Sequence, residues 1–183
     1  MIIVEQEIEN FKTGLIELDP IHFGKVGEFL CHRLFNMLNA NVNNYDGVLD
    51  NLRIECKFSR AFKKRAEKMT IDNIIQYCLE STSENKLVES NSTEDKYDCN
   101  IQQVKPVEFD QLYYGIIFKD KIQVFKINSD QVENIPGYSN KQHRGNVGEG
   151  QFHITNGNIQ YHRDNYFIRE LSFEDLYNLF RNE

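Results

Sequence analysis

The stretch that most constrains the fold is Tyr45 to Phe58, YDGVLDNLRIECKF. Val48-Leu49 and Leu52-Arg53-Ile54 are strand-forming runs, and Asp50-Asn51 between them suits a two-residue turn. With that turn, Leu49 faces Leu52, Val48 faces Arg53, Gly47 faces Ile54 and Asp46 faces Glu55. Directly opposed residues share a face, with Cβ atoms about 4.5–5.5 Å apart. Alternation along the strand adds Lys57 to the Glu55 face and turns Ile54, Cys56 and Phe58 toward a core. Two carboxylates and an ammonium on one face form a candidate magnesium site with a cation beside it. Asp50, the competing acid, would lie at the turn, about 13 Å along the strand from Asp46.

Length and composition set the frame around this hairpin. A chain of 183 residues, 40% hydrophobic and 27% charged, is expected to form a single domain over 1–183 with a substantial core. No apolar run approaches the length of a membrane span, and MIIVEQEIEN lacks the basic start of a signal peptide, so a cytoplasmic protein is expected. Cys31, Cys56, Cys78 and Cys99 show no paired metal-ligand spacing; Cys31 and Cys56 fall on apolar faces, as buried reduced thiols do. The net charge of −7 argues against a protein that coats nucleic acid. Its distribution is uneven: residues 51–70 carry +5 and residues 71–100 carry −5. The basic strip, with Arg60, Lys63 and Lys64, suits a phosphate backbone, although a solvated helix face has the same composition.

Helical spacing predicts a helix from Ile3 to Leu18 and a stronger one over HFGKVGEFLCHRLFNMLN, where Glu28 falls off the apolar stripe close enough to reach the hairpin. A third helix is expected from Thr70-Ile71-Asp72 to Leu79, with Ile71, Ile74, Ile75 and Cys78 on its apolar face. The polar stretch 80–100 reads as a flexible insertion. Strands follow at Ile101 to Pro106, Leu112 to Phe118 and Ile122 to Ile127, then a turn or short helix at Ser129 to Val132. Gln151 to Thr155, Asn156-Gly157 and Asn158 to His162 read as a second hairpin, and Ser172 caps a last helix, Phe173 to Phe180.

The spacing Asp46-x8-Glu55-x-Lys57 resembles the PD-(D/E)xK nuclease superfamily, with Tyr45 where its proline usually stands. Glu28 matches the acid often carried by the first helix of that superfamily, and the strands after the motif look like those of type II restriction endonucleases. The resemblance covers about residues 22–130 and implies an α/β, restriction-endonuclease-like core, a mixed central β-sheet flanked by helices. It further implies a Mg2+-dependent endonuclease, with Mn2+ as a substitute, that hydrolyses phosphodiester bonds of double-stranded DNA as a sequence-specific homodimer. Asp46, Glu55 and the main-chain carbonyl of Cys56 would hold the metal, and Glu28 a second metal or its water. Lys57 would orient or deprotonate water or neutralise charge on phosphorus, and Gln103 would orient Lys57 or a water.

The polar segment 137–165 is the expected DNA reader, through Gln142, His143, Arg144, Gln151, His153 and Arg163. Taken singly, each of these is more often an ordinary surface side chain. The alternatives are a repair, junction-resolving or phage-type nuclease of the same fold, or a noncatalytic DNA-binding protein.

Overall fold

The computed structural model describes residues 2–40, 42, 44–64, 67–141 and 147–181. Two helices open the chain, α1 (Ile2–Glu17) and α2 (Pro20–Phe35). Asp19 separates them: its carboxylate accepts the N–H groups of Ile21 and His22, and Pro20 starts α2 where a missing N–H costs nothing. Asn36 ends α2 in the left-handed conformation. Next come β1 (Leu38–Asn39), β2 (Gly47–Leu49), β3 (Leu52–Arg60) and β4 (Phe62–Lys63). Two short helices, α3 (Ile74–Leu79) and α4 (Ser83–Lys86), precede β5 (Tyr97–Val104), β6 (Gln111–Ile117) and β7 (Ile122–Asn128). After a 3-10 turn at Ser129–Asn134 follow β8 (Ser139–Lys141), β9 (Val147–Thr155), α5 (Ile159–Asn165), β10 (Phe167–Leu171) and α6 (Phe173–Arg181).

The strands form two sheets, a six-stranded one in the order β1-β2-β3-β6-β7-β10 and a four-stranded one in the order β4-β5-β9-β8. The larger sheet is mixed, because β3 runs parallel to β6 while its other pairings are antiparallel. Alternation along β6 and β7 divides the core. Leu112, Tyr114, Ile116, Phe125 and Ile127 pack toward the smaller sheet, against Tyr97, Cys99, Ile101, Phe152 and Ile154. Ile54, Cys56, Tyr113 and Val124 pack on the other side, against Leu15, Phe23, Leu30, Cys31 and Leu176 of α1, α2 and α6. The chain is therefore a mixed α/β protein whose mixed sheet is sandwiched between helices and a second sheet.

The expected first hairpin has the counted register, Gly47 with Ile54, Val48 with Arg53 and Leu49 with Leu52. Asp50 and Asn51 both take positive φ, 52° and 66°, as a type I′ turn requires. The second expected hairpin is absent. Asn156-Gly157 makes a turn, but neither residue has positive φ, and residues 159–165 continue as α5 rather than as a returning strand. The Asn158 side chain locks this turn by accepting the Thr155 N–H and donating to the His153 carbonyl. Ile159 and His162, one helical turn apart, then bury into the core.

Two further expectations change. Helix α3 starts only at Ile74, and the face expected to be buried is open to solvent, with Ile71 89%, Ile74 45% and Ile75 76% exposed and Cys78 exposed as well. The stretch 80–100, expected as a flexible insertion, instead contains α4, buries Leu87, Val88 and Ser90 and begins β5. Asp120 accepts both the N–H and the hydroxyl of Ser90. Cys31 and Cys56 are free and buried as expected, Cys99 likewise, and Cys78 is exposed. Among the described residues, no helix is long and apolar enough to cross a membrane.

Candidate active site

Strand β3 outruns its partner, and that mismatch creates the candidate site. The ladder with β2 stops at Gly47 and Ile54, so β3 has an open edge from Cys56 onward on that side. A cleft of about 490 Å³ lies along this edge. Glu28 and Lys25 line it from α2, Asp46 from the mouth of the hairpin, Cys56 and Lys57 from β3, and Asn100, Gln102 and Gln103 from β5.

Asp46 is held from three directions. Its N–H donates to the Ile54 carbonyl at 2.9 Å, its own carbonyl lies 3.0 Å from His32 Nε2, and its Oδ2 accepts the Cys56 N–H at 2.8 Å. The Arg53 carbonyl, by contrast, accepts from Asp110 N–H on the β6 side. Main-chain groups of Ile54 and Cys56 thus face β2 while those of Arg53 face β6. The N–H and C=O of one strand residue point the same way. The Cys56 carbonyl therefore faces the open edge beside the Asp46 carboxylate.

Glu55 and Lys57 share the opposite face of β3 from Cys56 and form an ion pair. Burial pushes the Glu55 carboxyl up to about 7, against the pull of Lys57 and with a further push from Asp46. Asp46 is raised for the same first reason, opposed by the Cys56 N–H and Lys57. For Lys57, burial opposes the charge, yet Glu55 and Asp46 together hold its pKa above the usual lysine value. The ion pair with Glu55 thus favours the charged form of Lys57. Glu28 accepts from Lys25 Nζ at 2.6 and 2.7 Å and stands 3.9 Å from His32 Nε2.

Glycine brings α2 this close. A Cβ on Gly27 would collide with the Phe58 ring of β3, and a Cβ on Gly115 of β6 would collide with the same ring. Phe58 is therefore clamped between helix and strand, and Glu28, the next residue along α2, is carried to the cleft.

Gln103 sits at a β-bulge, where the β5–β9 register shifts between Gln102 and Val104, and takes φ of 57°. The bulge allows Gln102 and Gln103 both to line the cleft, where strict alternation would turn one away.

Among the described residues, no group of three or more His, Cys, Asp or Glu side chains is arranged to hold a metal ion. The oxygens that the cleft assembles are the two carboxylates of Asp46 and Glu28 and the Cys56 carbonyl, a hard donor set that suits Mg2+ or Mn2+. Glu55, paired with Lys57, stands beside them.

The expected DNA contacts divide. Gln142, His143 and Arg144 lie outside the described residues. Gln151 faces Gln102 and His153 faces Asn100 across the β5–β9 ladder, so these four side chains share the outer face of the smaller sheet. His153 Nδ1 donates to Asp98 at 2.8 Å. Lys63 pairs with Asp95, and Lys64 with Asp98 at 3.4 Å, which offsets part of the basic strip. Arg60 and Arg163 are taken up by the fold itself. The Arg60 guanidinium lies 3.7 Å from the centre of the Phe23 ring and donates to the Leu18 carbonyl. Arg163 donates to Gln123 Oε1 and the Ser90 carbonyl, joining β7 to the stretch before β5.

His32 and Lys25 escaped the motif-based selection. Their offsets from Glu28, four residues on and three residues back, place them on its face of α2, and that spacing was legible. Comparison of the chain with family models, with curated proteins and with solved structures gives no match.

Proposed function

We propose that the protein is a metal-dependent endonuclease with a restriction-endonuclease-like core, acting on phosphodiester bonds of double-stranded DNA. The observation that carries this reading is the threefold fixation of Asp46 at the open edge of β3, next to the Glu55–Lys57 ion pair. An acid anchored by three hydrogen bonds beside a fixed cation is preorganised for charge that develops during phosphoryl transfer. Asp46, Glu28 and the Cys56 carbonyl, which line the cleft together, would hold Mg2+ or Mn2+, with Glu55 as a further ligand or an acceptor for bound water. When bound, such an ion supplies Lewis acidity at a phosphoryl oxygen and a more acidic water. Its charge would also favour the carboxylate forms of Asp46 and Glu55, which burial alone disfavours.

Lys57 would place its ammonium against negative charge growing on the phosphorus oxygens. Lys57 would also lie within reach of a water at the cleft, which it would orient. Gln102 and Gln103 would orient the phosphate or water from the opposite wall. The outer face of the smaller sheet, with Asn100, Gln102, Gln151 and His153, adjoins the cleft and presents amide and imidazole groups of the kind that read base edges.

The proposed assembly is a homodimer through α3. Its Ile74, Ile75 and Leu79, with Ile71 in the turn just before it, are exposed apolar side chains.

Incubation with plasmid and phage DNA in Mg2+ or in EDTA tests the function. Discrete Mg2+-dependent bands support a site-specific enzyme, and structure-selective nicking supports a repair or junction-resolving nuclease. DNA binding without cleavage of any substrate would leave a noncatalytic binding protein.

A further inference from the structure

The His32 ring touches both the hairpin and the reversal that precedes it. Nε2 lies 3.0 Å from the Asp46 carbonyl and Nδ1 lies 3.3 Å from the Met37 carbonyl. The side chain is only 11% exposed, so neither contact is an incidental surface one. One turn earlier on the same helix is Glu28, 3.9 Å from Nε2. The ring thus touches the main chain of Asp46 and lies near the Glu28 carboxylate, and both of these residues line the cleft.

Gly47 makes this possible. A Cβ there would lie 3.2 Å from His32 Cε1 and 3.3 Å from Nε2, and 3.2 Å from the Leu38 carbonyl oxygen of β1, tighter than ordinary carbon contacts. The residue that follows the key acid is therefore one whose missing side chain admits the imidazole to the main chain. Strand β2 has only three residues, and its ladder to β3 ends at Gly47. Nothing in the sheet itself fixes the Asp46 carbonyl.

We propose that His32 is the positioning residue of the cleft: its hydrogen bond to the Asp46 carbonyl sets that acid against the Cys56 main chain and against Glu28. The inference rests on the reading of the cleft as a metal-dependent hydrolytic site. His32 touches neither phosphate nor metal in this account. It acts through Asp46. Groups that orient a metal ligand in this way commonly shift metal affinity by about 10- to 100-fold when removed.

The test is Mn2+ binding to the free protein, followed by electron paramagnetic resonance and thermal unfolding, for the wild type, Asp46→Asn, His32→Leu, His32→Gln and Gly47→Ala. The wild type should show one Mn2+ site that Asp46→Asn removes. His32→Leu should weaken that site roughly tenfold or more while the metal-free protein still unfolds cooperatively. His32→Gln retains an N–H donor at the end of the side chain and should recover affinity to within about threefold of the wild type. Gly47→Ala, which presses the ring off the carbonyl, should weaken Mn2+ in the same direction with His32 intact. With DNA present, the Mg2+ concentration for half-maximal cleavage should rise in His32→Leu while KM for DNA stays unchanged. Unaltered Mn2+ affinity in His32→Leu and Gly47→Ala would overturn the role of His32 alone. Equal losses in His32→Gln and His32→Leu would also overturn it, since the hydrogen bond would then not be the cause. A wild type without an Asp46-dependent Mn2+ site would overturn both this inference and the hydrolytic reading beneath it.

Discussion

Asp46 and Asp50 differ by four positions and have opposite fates. Asp46 is half-buried at the cleft and bonded to β3, whereas Asp50 is half of a turn with φ of 52°. Substitution separates them. Asp46→Ala and Lys57→Ala should each lower DNA cleavage by roughly 10²- to 10³-fold, the scale of losing one preorganised electrostatic group. Asp50→Ala should leave cleavage within a few-fold of the wild type, measured as initial rates at saturating Mg2+. A residue outside the cleft governs acid stability. His162 is fully buried, its Nδ1 2.8 Å from the Tyr114 hydroxyl and its ring stacked on Phe152. Burial pushes its pKa down from 6.5 to about 4. The unfolded chain takes up that proton near 6.5 and the native state resists until about 4. The stabilisation is therefore complete above pH 6.5 and is lost as the pH falls toward 4, by about 3 kcal/mol in all. Urea unfolding of the wild type and His162→Gln at pH 7 and pH 4.5 should show the larger acid loss in the wild type.

At the scale of elements, the hairpin was legible and α5 was not, for one physical reason. Asp50 and Asn51 tolerate positive φ because their short side chains bond locally, and alternation on both flanks then fixes the register. Asn156-Gly157 carries the stronger dipeptide signal. The Asn158 cap and the helical spacing of Ile159 and His162 override it, and β9 pairs instead with β5 and β8. Periodicity also marked the apolar residues of α3, but an apolar stripe does not specify what covers it. The buried Leu87, Val88 and Tyr97 were hidden in a polar stretch too sparse to show a period. Of the candidate site, Asp46, Glu55 and Lys57 came from their spacing on the hairpin and Glu28 from its place off the apolar stripe of the helix; His32 was legible as its i+4 neighbour, whereas the turn of Gln103 into the cleft beside Gln102 needed the bulge. The α2–β3 contact gives a further prediction at this scale. Gly27→Ala forces a methyl into the Phe58 ring, should cost about 1–3 kcal/mol by urea unfolding, and should lower cleavage by moving Glu28 away from β3.

The whole molecule places its helices, mixed sheet and second sheet so that the cleft opens where the layers separate, between α2, the edge of β3 and β5. The proposed catalytic groups come from the helix and the larger sheet, and the proposed reading face from the smaller one. The α3 surface belongs to this scale too. Ile75→Glu should shift a dimer seen by sedimentation velocity to monomer without loss of secondary structure, and a wild-type monomer at high protein concentration would contradict that assembly. The most direct test of the central claim is cleavage of supercoiled plasmid by the purified wild type, Asp46→Ala and Lys57→Ala, each in Mg2+ and in EDTA. Cutting is expected from the wild type in Mg2+ alone, with both variants folded and their initial rates reduced by roughly 10²-fold or more. Mg2+-dependent cutting within a few-fold of the wild-type rate in either folded variant, or no cutting by the wild type on any DNA, would contradict it.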